Sequence, residues 1–133
     1  MKTGRETLKK AERLCGEKLI TSLFESGNVL YTRLFKIVWN ISPSPGPFPA
    51  RIAFSVPKKG FRLAVTRNLL KRRMREAYRR NKHTLYDFLA GENIGMVFAV
   101  IYRTDSVSDY IEIEASVKEA VEKLIVLLKR TVK

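Results

Sequence analysis

The segment AVTRNLLKRRMREAYRRNK, residues 64–82, leaves this chain few folds to choose from. The helical period of about 100° per residue sorts it into two surfaces. Leu70, Met74, Ala77 and Tyr78 share one stripe, and Arg67, Asn68, Lys71, Arg72, Arg75 and Arg79 share one continuous arc. The stripe demands a core to lie against. The arc then presents five cations and one carboxamide on a fixed lattice, offset within the segment only by Glu76. Ordinary exposed helices interleave acids with bases at i,i+4, and this one does not. Such a face suits a polyanion of defined shape, above all a folded nucleic acid.

The rest of the chain supplies the core. Residues 17–26 predict a short helix with Leu19 and Leu23 inward, Ile20 and Phe24 beside them, and Gly27 as C-cap. Residues 29–41 alternate as one strand, with Tyr31, Arg33, Phe35, Ile37 and Trp39 on one side and Thr32, Leu34, Lys36 and Val38 on the other. SPSPGPFP at 42–49 holds four of the five prolines and reads as a loop. RIAFSV at 51–56 resumes strand alternation, with Ile52, Phe54 and Val56 opposite the small Ala53 and Ser55. A basic loop with Lys58, Lys59 and Arg62 leads into the long helix. A shorter helix follows near 83–90, then a turn bracketed by Gly91 and Gly95.

The apolar run at 96–103 predicts a central strand buried on both faces. Residues 109–130 close the chain as a helix with Val117, Val121, Leu124 and Leu128 inward. A small sheet with helices packed on one side buries every apolar face in this order of elements, an α+β two-layer arrangement. The length, 133 residues, fits one domain, residues 1–133, with a polar, basic arm over about residues 1–13.

Charge narrows the function. Lys and Arg number 26 against 13 acids, and residues 51–82 hold twelve of the bases with a single acid. Against a membrane reading, the apolar stripe is narrow and is needed by the core. Against DNA, a groove-reading helix carries short polar residues aimed at base edges. An arc of Arg and Lys suits phosphates and shape, which is how structured RNA is recognised. The expected partners are therefore RNA, with no membrane and no DNA.

Catalysis is expected elsewhere. His83 is the only histidine and reads as a solvated side chain. Cys15 is the only cysteine and fits a reduced thiol in a cytoplasmic protein. Glu112 and Glu114 alternate in IEIE, but they read as outward polar positions rather than metal ligands. The N-terminus has no apolar signal-like run, and LIVLL at 124–128 is too short to span a bilayer. A protein nuclease is disfavoured by this inventory, whereas a non-catalytic ribosomal or assembly-type RNA-binding protein fits it.

AVTRNLLKRRMREAYR resembles the signature of the protein subunit of bacterial ribonuclease P, whose usual form reads A-V-x-R-N-R-x-K-R-x-x-R-E. RIAFSVPKK resembles the strand and lysine pair that precede it, and the likeness runs in order over roughly residues 13–103. The resemblance implies a sandwich with a left-handed β-α-β crossover, an exception to the usual handedness. It implies a subunit that binds the catalytic RNA and the 5′ leader of precursor tRNA. In that family the RNA, with Mg2+ held mainly by RNA and substrate, performs the phosphodiester hydrolysis, so no catalytic residue is expected here. The implied RNA contacts are Arg67, Asn68, Lys71, Arg72, Arg75 and Arg79, joined by Lys58, Lys59 and Arg62.

A leader cleft between the first helix and one sheet face is also implied. Its matching positions are Ile20, Phe24, Lys36, Val38 and Ser55. The family often has aromatic residues where Ile20 and Val38 stand. Leu69 replaces the signature's second arginine, with Arg62 or Arg73 as the available substitutes.

Overall fold

Leu70, Met74, Ala77 and Tyr78 are all buried, on an α-helix that runs Ala64–Asn81. The computed structural model describes residues 12, 17–42 and 49–131. Apart from Glu12, the expected basic arm lies outside the described residues, as do Cys15, residues 43–48 of the Pro-rich loop and the Ile20 side chain. The elements are α1 (Glu17–Ser26), β1 (Asn28–Tyr31), β2 (Phe35–Ser42), β3 (Ala50–Ser55), α2 (Ala64–Asn81), α3 (His83–Glu92), β4 (Gly95–Tyr102) and α4 (Tyr110–Thr131).

The sheet is mixed, in the order β1-β2-β4-β3. β1 and β4 both run antiparallel to β2, while β3 runs parallel to β4. β4 is therefore central, as its apolar run requires. The parallel β3–β4 pair is joined through α2 and α3, giving the β-α-β unit.

One face carries Phe35, Ile37, Trp39, Ile52, Phe98 and Tyr102, all buried in the main core with the inner stripes of α2 and α4. Ile113, Val117, Val121, Leu124 and Leu128 complete that core from α4, at helical spacing. The α4 N-terminus is closed by a reciprocal capping pair: the Glu112 N–H donates to Asp109 Oδ1 at 2.9 Å, and the Asp109 N–H to Glu112 Oε1 at 3.3 Å. Glu112 and Glu114 thus stand on a helix and serve structural bonds, Glu112 to Arg33 and Glu114 to Asn81.

Three features differ from the sequence-based expectation. Residues 29–41 are a hairpin rather than one strand. Its turn is closed by the Thr32 N–H donating to the Phe35 carbonyl at 2.9 Å and the Phe35 N–H donating to Thr32 Oγ1 at 3.1 Å. Tyr31 consequently pairs with Lys36 and leaves the Phe35 face for the opposite one.

Helices also occupy both sides of the sheet. Leu23 of α1 is buried with Val38 and Ala99 in a second, smaller cluster, because β2 and β4 carry short apolar side chains on that face. Lastly, the glycines depart from expectation only in part: Gly27 follows the end of α1, its N–H donating to the Leu23 carbonyl at 2.7 Å. A Cβ on Gly27 would sit 2.5 Å from the Leu23 carbonyl oxygen and 2.7 Å from Val38 Cγ1, so the glycine permits close approach of α1 to the sheet. Gly91 lies within α3, and the left-handed residue that ends that helix is Asn93, at φ 54°.

Candidate nucleic-acid interface

Alternation on a buried sheet leaves the second face free for solvent except where α1 covers it. The strand register lays out that open face in rows. Tyr31, Lys36, Ile101 and Ser55 form one row, and Val29, Val38, Ala99 and Ala53 the next. α1 lies against the second row through Leu23, and Phe24 on the same helix is half exposed. Lys36 and Ser55 are partly accessible, whereas Val38 is 2% exposed. Val38 is thus the floor on which α1 rests, and three of the expected cleft residues, Phe24, Lys36 and Ser55, remain reachable from solvent.

The register also gathers the basic segments at one end of the sheet. Phe35 pairs with Tyr102 and Ser55 with Ile101, so the Thr32–Phe35 turn, Arg103, the loop after β3 and the start of α2 share that end. Lys58, Lys59 and Arg62 are exposed in that loop. The expected open-face residues and the signature helix are therefore adjacent in the fold, although they come from separate parts of the chain.

On α2 the cations divide into three kinds by the partners they find. Asn68 and Arg72 are exposed, and Lys71 and Arg75 are half-buried. No acid among the described residues forms an ion pair with Lys71, Arg72 or Arg75. Arg79 differs: its Nε donates to Glu76 Oε1 at 3.0 Å and its Nη2 to Glu76 Oε2 at 2.6 Å. That bidentate bond holds the Glu76 carboxyl below the usual carboxylate range, against the opposing effect of desolvation. Part of the Arg79 charge is therefore neutralised within the helix.

Arg67 and Arg73 are anchors. Arg67 Nη1 donates to the carbonyls of Phe61 and Arg62, both at 2.8 Å, and so shapes the basic loop. Solvent exposure of Arg67 alone would predict a harmless Arg67→Ala change. With these bonds, the substitution should instead lower unfolding stability by about 1.5–3 kcal/mol, the usual worth of hydrogen bonds from a charged donor. Denaturant melts of Arg67→Ala beside Lys71→Ala test this, since only the first should shift.

Arg73 Nη1 donates to the Ser108 carbonyl at 2.6 Å, tying α2 to the loop before α4. Arg73 is thereby excluded as a stand-in for the arginine missing at Leu69. Leu69 is one turn before Arg73 on the same flank of the helix and is half-buried, so it borders the arc without breaking it. Arg62, exposed beside the start of α2, remains the candidate substitute.

Two residues on the open side escaped the sequence reading. Unbroken alternation puts Tyr31 on the same side as Phe35, because the hairpin turn has no glycine, proline or asparagine to mark it. Arg103 follows the buried run of β4 and reaches back to the turn, its Nε donating to the Thr32 carbonyl at 3.0 Å. Among the described residues, no group of three or more His, Cys, Asp or Glu side chains could hold a metal ion.

Comparison with known proteins agrees with this geometry. The family model described as Ribonuclease P matches residues 8–125. The ribonuclease P protein component of Porphyromonas gingivalis is 32% identical over 117 residues, covering 88% of this chain and 85% of the relative. That of Chlorobium phaeobacteroides is 41% identical over 83 residues, covering 60% of this chain and 57% of the relative. Among solved structures, an RNase P protein from Thermotoga maritima superposes with a TM-score of 0.67 at 24% identity, covering 84% of this chain and 96% of that one. One from Staphylococcus aureus gives 0.66 at 24% identity, covering 86% and 95%. These two support the fold.

Proposed function

Since the chain belongs to the ribonuclease P protein family, which serves the 5′ maturation of tRNA, we propose a division of labour between its two accessible faces. The α2 arc, through Asn68, Lys71, Arg72 and Arg75 with Lys58, Lys59 and Arg62 at its N-terminal end, grips the ribonuclease P RNA. The open sheet face beside α1 receives the single-stranded leader of precursor tRNA. The observation that carries this reading is the set of three cations, Lys71, Arg72 and Arg75, held on a buried stripe with no acidic partner among the described residues. Their self-repulsion is relieved when phosphates replace solvent.

The hydrolytic centre belongs to the RNA. The arc offers ammonium and guanidinium cations and a single carboxamide oxygen, whereas Mg2+ takes several oxygen ligands, chiefly carboxylates and phosphates. Its side chains do not fit that ion, so Mg2+ is assigned to phosphate oxygens of the RNA and substrate. The partners are thus the catalytic RNA and precursor tRNA, in the cytoplasm, with neither DNA nor membrane. No described helix is long and apolar enough to cross a bilayer.

Reconstitution tests the proposal. Protein mixed with a cognate catalytic RNA and precursor tRNA at low magnesium should accelerate leader removal over RNA alone. RNA binding without acceleration would favour an assembly-type role, and cleavage by protein without RNA would relocate the chemistry. Within the cleft, Phe24→Ala should weaken affinity for precursor more than for mature tRNA, by about 1–3 kcal/mol if one base stacks on the ring. Equal losses for the two would remove Phe24 from the leader site.

A further inference from the structure

The leader face has little aromatic surface where a base could stack: Val38 is an aliphatic side chain buried under α1. An aromatic ring is nevertheless present one row away. Tyr31, on edge strand β1, heads the row that continues through Lys36, Ile101 and Ser55, and it is 51% exposed.

Its setting is fixed from two directions. The Arg103 guanidinium lies over the ring, 5.1 Å from its centroid, and is itself held by the bond to the Thr32 carbonyl. Beneath, Lys123 Nζ of α4 donates to the Tyr31 carbonyl at 2.9 Å and pairs with Glu119 at 3.1 Å. A flat ring on pinned backbone, backed by a guanidinium, loses little entropy when a base lies against it. Arg103 also lines an open cavity of about 550 Å³ together with Lys59, Phe61 and Asp105. That cavity adjoins the exposed Lys58 and Lys59 loop, so cations continue from the ring toward the signature helix.

We propose that Tyr31, positioned by Arg103, is a stacking platform for one unpaired nucleobase of the leader at the edge of the open sheet face. The ring does the work that an aromatic side chain at Val38 would otherwise do. A base is the fitting occupant because every nucleobase has a π-face and its flanking phosphates meet Lys36 and Arg103. The inference rests on the assignment of this face to the leader.

The experiment uses the holoenzyme reconstituted with the catalytic RNA. Precursor tRNAs carry 2-aminopurine at single leader positions, and mature tRNA serves as the control. Wild type should quench the fluorophore most strongly at one leader position. Tyr31→Ala should abolish that quenching and weaken precursor binding about tenfold, with mature tRNA affinity unchanged. Tyr31→Phe, which keeps the ring, should retain both properties.

Quenching that survives in Tyr31→Ala overturns the platform, as does an equal loss of affinity for precursor and mature tRNA. Loss of quenching in Tyr31→Phe would overturn it too, since the hydroxyl and not the ring would then be responsible. If wild type itself fails to prefer precursor over mature tRNA, the leader assignment falls and takes the platform with it.

Discussion

Replacing Lys82 with methionine should lower the unfolding free energy by about 3–5 kcal/mol, the usual cost of breaking a buried ion pair from one side. Lys82 Nζ lies 2.6 Å from Glu12 Oε2, and the two side chains are 3% and 0% exposed. The Tyr86 hydroxyl donates to the same carboxylate oxygen, and the Lys82 ammonium sits 5.2 Å from the Tyr86 ring centroid. Burial, with the neighbouring Tyr78 hydroxyl and the Glu12 carboxylate, pushes the Tyr86 phenol well above the ordinary tyrosine range.

Methionine keeps the length of the lysine stem but leaves the buried carboxylate without this cation. In a chain of this size the loss corresponds to a fall in melting temperature of about 10–20 °C. Adding Glu12→Leu should recover much of it, because removing both partners spares the desolvation of the survivor. A single variant that melts like wild type would show that Glu12 is not held at the α2–α3 junction.

The second large effect is on RNA. Changing Lys71, Arg72 and Arg75 together to alanine should leave the melting temperature close to wild type. None of the three forms an ion pair among the described residues, and alanine is the best helix former. Affinity for the catalytic RNA should fall, and the slope of log K against log salt should shrink by about one for each cation removed. Arg73→Ala is the counterpart: it should lower the melting temperature and leave the salt slope alone, since its guanidinium is spent on Ser108. A salt titration with both variants separates phosphate contact from scaffolding. An unchanged slope in the triple variant would remove the arc from the RNA interface.

These contrasts show where reading from sequence reached and where it stopped. The α2 helix was legible because its period is uninterrupted by glycine or proline, and the four predicted stripe residues are the four that are buried. β4 was legible because eight consecutive apolar and small residues can be satisfied only in the middle of a sheet. The hairpin was hidden. Its turn is made by a threonine hydroxyl and by burial of Thr32 and Leu34, neither of which alters the apparent alternation.

At the candidate site, seven arginines and lysines of α2 look alike as letters. What separates Arg67 and Arg73 from Lys71 and Arg72 is the acceptor each finds, and for Arg73 that acceptor is a carbonyl 35 residues away. Periodicity reports which way a side chain leaves its own helix. It is silent on what a distant loop will bring to meet it.

Gly27 gives the open sheet face a property that no contact residue controls. With 2.5 Å and 2.7 Å to its would-be Cβ neighbours, the end of α1 is drawn nearer the sheet than any residue with a side chain would allow. The headroom between helix and strand is therefore gauged by a single hydrogen atom. An alanine there would prop the helix open at one end like a wedge under a door. The width available to a passing strand is thus set at a position that need never meet it.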